Sequence, residues 1–293
     1  MLLLVAKEGD EMESQWIQDG MVSRRRISQK SSKMIPHYHD IHELYYLLEG
    51  QTRYLIDEEI YTVEKGDFVF VPGGSIHGTD YAKGKDKERI LIYFGNDLFD
   101  EYSSFLQEKM MPQRLIQITK EHLPEIEALL LKIESEYYRN GEGKDCLLRL
   151  YIKELLILIN RYRCERKTNI RETDEIIYEI AEYIRQHYDA NISLVELSRI
   201  FCISDAHLSR KFKTVMGIGI NQFVTVVRIN KSIQMLENSR LTITEVARQC
   251  GYDDSNYFAA VFKKIKGVTP QKYRKQSATY QRQRHNYGSS FGI

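Results

Sequence analysis

Three side chains able to hold a metal or grip a hydroxyl group lie close together in the chain: His37, His39 and Glu43. Side chains alternate between faces along an extended strand. These three are therefore expected on one strand face, with His42 on the other. Imidazole and carboxylate together suit Fe, Mn, Ni or Zn. The same groups can line a pocket for a small polar molecule, or sit hydrogen-bonded in a core. A metal-free pocket wall is the expected use, so no cofactor is required and no divalent metal is expected. Tyr45 shares the face of Glu43 and is the ring expected in that pocket. Other aromatic residues lie nearby: Tyr38, Tyr46, Tyr54, Tyr61, Tyr81, Tyr93 and Phe94. Their ring faces could stack on sugar C–H surfaces.

The elements that must carry these residues read as short strands. Residues 30–95 alternate through LYYLLEG, QTRYLIDEEIYTV, KGDFVFVPGG and ERILIYF, with Gly and Pro at the corners. That pattern predicts an all-β barrel or jelly roll. Arg24-Arg25-Arg26 precedes it, in a segment that reads as a strand or an arm with a solvated basic patch. Trp16 is the single tryptophan. Residues 119–139 and 144–163 have helical periodicity and are separated by Gly141 and Gly143, which predicts an antiparallel pair. Leu147, Leu148, Tyr151, Leu155, Leu158 and Ile159 give the second helix more apolar surface than one sheet face needs. The excess points to a partner.

The C-terminal third repeats itself. Residues 192–223 and 241–273 each open on a Ser/Thr-x-x-Glu box, Ser193 to Glu196 and Thr242 to Glu245. Such a box pairs exposed backbone N–H groups at a helix start with side chains. Each then gives a short helix, a tight turn and a second helix starting at Ser204 or at Asp253/Asp254. Each second helix carries Phe-Lys (Phe212-Lys213, Phe262-Lys263) and ends at a glycine, Gly217 or Gly267. Two tandem helix-turn-helix units imply a reader of double-stranded DNA. Residues 219–238 read as one joining helix. At roughly 1.5 Å per residue it spans about 30 Å, close to the roughly 34 Å between major-groove faces on one side of B-DNA. Cys202 stands where the second unit has Gly251, and the first turn is expected to be shaped differently rather than left-handed.

Composition fits this division. Of the 42 Lys/Arg and 41 Asp/Glu, residues 166–284 hold 20 and 12, leaving 22 and 29 elsewhere. A basic half suits a polyanion that an acidic half would repel. No apolar run approaches eighteen residues, so no membrane partner is expected. The opening MLLLVAKEGDEM lacks the basic start and cleavage site of a signal peptide. The four cysteines contain no C-x-x-C, which fits a reducing, cytoplasmic setting.

At residues 174–275 the chain resembles the AraC/XylS family of bacterial transcription regulators. The resemblance includes Arg228-x-x-Lys-Ser-x-x-Met-Leu236 and the closing run from Gly267 to Arg274. It implies base-facing positions at Ala206, His207, Ser209 and Arg210, then at Ser255, Asn256, Ala259 and Ala260, with Lys213 and Lys263 beside DNA. Ala260 departs from the family, where that position is usually basic, so Arg210 is the expected base-reader. A guanidinium can grip guanine O6 and N7 together. The His37-x-His39-x-x-x-Glu43 motif and Gly66-x5-Pro72-x-Gly74-x-x-His77 resemble the two cupin signatures, with Tyr81 in place of the usual trailing Asn. They imply an effector site of His37, His39, Glu43, Tyr45 and His77. His37, His39, Glu43 and His77 are also the set that a metal-binding cupin would use. The resemblance further implies a small-molecule effector such as a sugar, a homodimer, an RNA polymerase partner and no enzymatic activity.

The expected architecture is α+β and multidomain: a cupin-like β domain (1–110), a helical dimerisation pair (111–165) and a linker (166–173). An all-α double helix-turn-helix domain (174–276) and a disordered tail (277–293) follow.

Overall fold

The computed structural model describes residues 20–27, 34–80, 87–99, 103–164 and 174–277. Trp16, Tyr81, the expected linker over 166–173 and the tail from 278 onward lie outside the described residues. The chain divides into two compact units between Asn169 and Ile170.

The first unit is built on two antiparallel sheets. One has the order β1-β7-β2-β5-β8-β9, where β1 is Gly20–Ile27, β2 His42–Glu49, β5 Asp67–Val71, β7 Lys87–Phe94, β8 Leu115–Ile118 and β9 Arg163–Cys164. The other has the order β4-β3-β6, from Glu59–Glu64, Gln51–Ile56 and His77–Asp80. Strand β2 explains the layering. Tyr45 and Leu47 enter a core with Tyr54, Ile56, Val63, Val69 and Leu91. Leu44 and Tyr46 enter a second core with α2 (Leu123–Tyr138) and α3 (Lys144–Tyr162). Both faces of β2 are covered, so it reads as a continuous apolar run.

Helices α2 and α3 follow the short α1 (Ser104–Met110) and pack against each other across the Gly141–Gly143 turn, where Gly143 has φ +80°. Leu148, Ile152, Leu155, Leu156, Leu158 and Ile159 of α3 are buried in the core shared with α2 and the larger sheet. This corrects the reading of the α3 stripe, because most of it is consumed within the chain. Leu147 and Leu150 of α3 and Leu131 and Tyr138 of α2 stay exposed. The arginine run lies in β1, paired with β7, and Arg24 forms ion pairs with Glu88 and with Glu134 of α2.

The second unit is helical: α4 Glu175–Gln186, α5 Leu194–Ile200, α6 Asp205–Met216, α7 Ile220–Asn238, α8 Ile243–Gln249 and α9 Ser255–Lys266, then a helical stretch over 270–277. Ser193 accepts a hydrogen bond from the Glu196 N–H, and Thr242 does so from Glu245. In the second case Glu245 also reaches back to the Thr242 N–H and completes the box. Arg228 of α7 donates to the carbonyls of Tyr188 and Ala190 and lies over the Tyr252 ring. It thereby braces the segment after α4 against the second helix-turn-helix. Phe262 meets Tyr273, whose hydroxyl donates to Glu237, locking the final turn onto α7.

Candidate functional sites

The polar cluster of the first unit forms where the 37–43 segment meets the 72–77 loop. Contrary to the expectation of one strand face, β2 begins only at His42, and His37 and His39 precede it across bends at Asp40 and Ile41. The cause is a close backbone approach. A Cβ at Gly73 would collide with the Asp40 carbonyl oxygen, and the Gly73 and Gly74 N–H groups donate to His42 Nδ1 and the His39 carbonyl. His37 arrives separately, through a two-bond bridge to the backbone of His77.

Within this frame His39, Glu43 and His77 are all buried, and their donor atoms lie within 4.8 Å of one another. His39 Nε2 is 3.2 Å and His77 Nε2 3.7 Å from the same Glu43 oxygen. The other Glu43 oxygen accepts a short hydrogen bond from the Tyr54 hydroxyl. His37 is exposed at the rim, its ring 4.4 Å from that of His77. His42 faces the opposite way as expected, among Phe70, Phe94 and Phe99, with Asn96 on its Nε2.

The electrostatics follow from burial. Desolvation pushes His77 down to about 3, aided by the neighbouring His37, so it is neutral near pH 7. Burial alone would raise the Glu43 carboxyl. The hydrogen bond from His39, the nearby imidazoles and the Tyr54 hydroxyl outweigh it and hold that group ionised. Tyr54 is pushed well above the usual tyrosine value by burial and by the Glu43 charge.

Tyr45 occupies the inter-sheet core, its ring edge-on to Tyr54 and one ring removed from the histidines. The rings that touch the cluster are Tyr54, through Glu43, and Tyr93, edge-on to His39 at 5.3 Å. Alternation along β2 could not have found them, because both come from other strands. The pairing of β2 with β7 sets Tyr93 opposite Glu43.

The second unit presents the other site. On α6, Leu208, Phe212, Val215 and Met216 are buried, while Ala206, His207, Ser209, Arg210 and Lys213 are exposed. On α9, Phe258 and Phe262 are buried, Asn256, Ala260 and Lys263 are exposed, and Ser255 and Ala259 are partly covered. Tyr257, which sequence reasoning passed over, is among the most exposed large apolar residues described, at 63%. Cys202 does adopt the left-handed backbone, φ +53°, matching φ +75° at Gly251. The two turns therefore share a left-handed position, which overturns the expectation that the first turn avoids it, although the second turn is one residue longer. A left-handed backbone at a residue with a Cβ costs Cys202 strain on the order of 1 kcal/mol.

Comparison with known proteins matches each of the two units to a family model. Residues 20–157 match the family model of the AraC-like ligand binding domain, and residues 197–276 that of a helix-turn-helix domain. An uncharacterised HTH-type transcriptional regulator, YdeC of Bacillus subtilis, is 24% identical over 86% of this chain and 90% of its own length. The HTH-type transcriptional activator RhaR of Mannheimia succiniciproducens is 23% identical over 81% of this chain and 86% of its own. Among solved structures, the C-terminal domain of AraT, a response regulator from Geobacillus stearothermophilus, is 30% identical. It covers 37% of this chain and 88% of its own, with a TM-score of 0.35. With a ligand-binding N-terminal domain joined to a helix-turn-helix DNA-binding domain, the chain belongs to the AraC family of transcription regulators.

Proposed function

We propose that this regulator is an activator whose operator binding is controlled by a small polyhydroxylated molecule, a sugar or close relative, held at His39, Glu43 and His77 with His37 at the rim. The carrying observation is a buried polar cluster between two sheets, bordered by Tyr54 and Tyr93. Hydroxyl groups of a ligand would meet imidazole and carboxylate, while ring faces would meet its C–H surface. The RhaR relatives, named as transcriptional activators, support the activator reading. Nothing in the cluster requires an enzymatic role, and RNA polymerase is the expected partner at the promoter. No helix among the described residues is long and apolar enough to cross a membrane, and a cytoplasmic setting fits a DNA-reading protein.

Exposed Leu131, Tyr138, Leu147 and Leu150 on α2 and α3 support a homodimer through the helical pair. In the second unit, Ala206, His207, Ser209, Arg210 and Lys213, with Ser255, Asn256, Ala259, Ala260 and Lys263, are proposed to meet DNA.

The test is a thermal-shift screen of the full chain against a sugar panel. A ligand at about 100 times its dissociation constant adds roughly 2.7 kcal/mol, a clear shift of the transition. A sugar-specific shift that also changes operator affinity is expected. Silence across the panel, with operator binding unmoved, overturns the sugar reading.

A further inference from the structure

One large ring stands out to solvent on the second helix of a helix-turn-helix. Among the described residues, the exposed large apolar side chains of the helical unit are Val195, Ile200 and Tyr257. The first two lie on α5, and only Tyr257 lies on α6 or α9. The internal repeat gives it a position. The register that matches Phe212-Lys213 with Phe262-Lys263 also matches Leu208 with Phe258, both buried, and His207 with Tyr257, both exposed. The same register matches Arg210 with Ala260. The second unit thus lacks a long side chain where the first has its arginine, and carries a ring where the first has an imidazole.

Tyr257, Ala260 and Lys264 recur at the i, i+3, i+7 spacing of one helix face, away from the buried Phe258 and Phe262. Ala260 has a single side-chain carbon, so it does not screen the ring one turn away. Behind it the buried Tyr252 ring stands 6.2 Å from that of Tyr257 and lies under the Arg228 guanidinium. Tyr257 is backed by packed side chains and, at 63% exposure, open in front. A tyrosine gives up few rotamers on docking, and such rings are favoured at the centre of binding surfaces. It is also the third residue of α9, and the N-terminal residues of such a helix are those that reach base edges. In the major groove those edges offer one apolar group, the C5-methyl of thymine. Exposed Lys263 and Lys264 already supply charge for phosphate on this helix.

We infer that Tyr257 is a specificity-determining residue of the second unit, its ring packing against a thymine methyl group in the major groove. The inference rests on the DNA contacts proposed for α9 and names the residue that gives them sequence preference in place of an arginine. The experiment uses the full chain and a site selected from random-sequence DNA. Each thymine is replaced in turn by deoxyuridine, which lacks only the methyl group. At one or two positions the wild-type chain is expected to bind roughly fourfold more weakly, the affinity that one buried methyl group carries. Tyr257→Ala should bind the thymine site more weakly than wild type and lose the uracil effect at those positions. Tyr257→Phe should keep both. Circular dichroism melting checks that the variants fold, and Val195→Ala should change neither affinity nor the uracil effect. Uracil effects identical in wild type and Tyr257→Ala overturn the inference. So does a Tyr257→Phe variant as weak as Tyr257→Ala, which assigns the role to the hydroxyl. Asn256→Ala separates the two levels. If it weakens binding while Tyr257→Ala does not, only this inference fails; if neither does, the contacts proposed for α9 fail with it.

Discussion

The two helix-turn-helix units share a backbone and differ in what they show to DNA. Both cap their first helix with a hydroxyl, take a left-handed residue in the turn and end their second helix at a left-handed glycine. Their exposed chemistry diverges. The first recognition helix offers His207, Ser209 and Arg210; the second offers Asn256, Tyr257 and Ala260. The comparison separates what shapes the unit from what reads the operator. The hydroxyl caps and the left-handed turn position are duplicated, while the exposed residues of the second helices differ. On the proposed DNA contacts, Arg210 would grip guanine, and Asn256 and Ala260 would meet adenine edges and thymine methyl groups.

The largest expected effect concerns the turns. Gly251→Ala forces a Cβ against the Asp189 carbonyl oxygen at 2.8 Å and against Arg228, at φ +75°. A loss of about 2 kcal/mol or more in the stability of the helical unit is expected by denaturant titration. Cys202→Gly, at the equivalent position, should instead stabilise by less than about 1 kcal/mol. If both substitutions acted in the same direction, the turns would not be equivalent.

Base reading comes next. Arg210→Ala should reduce discrimination between operator and competitor DNA by about 1–3 kcal/mol, and Ala260→Ser by much less. Equal losses in a binding competition would erase the asymmetry between the units. The polar cluster adds a pH contrast between the two halves of the chain. His77 titrates near 6.5 when unfolded and at about 3 when folded. Between those values the unfolded chain binds the extra proton, so stability of the first unit falls as the pH drops from 6.5 towards 3. The slope is at most about 1.4 kcal/mol per pH unit for this group. A melting temperature of the first unit flat from pH 7 to 5 would contradict its burial as a neutral ring. The caps give the smallest effect. Thr242→Ala should cost about 1 kcal/mol and Ser193→Ala less, since among the described residues only the second box is completed in both directions.

Local patterns carried most of this architecture. The repeat, the caps at Ser193 and Thr242, the glycines at 217 and 267 and the joining helix all follow from neighbours within a few residues, and such signals survive in a one-dimensional reading. The polar cluster was legible as a set, since His39, Glu43 and His77 were all singled out. Its geometry was not. Alternation wrongly extended β2 back to His37, because the bend at Asp40 depends on Gly73, more than thirty residues away. Tyr54 and Tyr93 stood among the nearby aromatic residues but could not be singled out, since it is strand pairing that brings them to the cluster. The α3 stripe misled in a different way. Periodicity shows that a face is apolar but not whether the sheet or a partner covers it.

The central claim is that α6 and α9, held by the rod α7, read two turns of one DNA face. Its most direct test is hydroxyl-radical footprinting of the full chain on a site selected from random-sequence DNA. We expect each bound chain to protect two patches on one face, centred about 10 base pairs apart, and Arg210→Ala to weaken one patch more than the other. A single protected patch per chain, or protection with no sequence preference, would contradict the account.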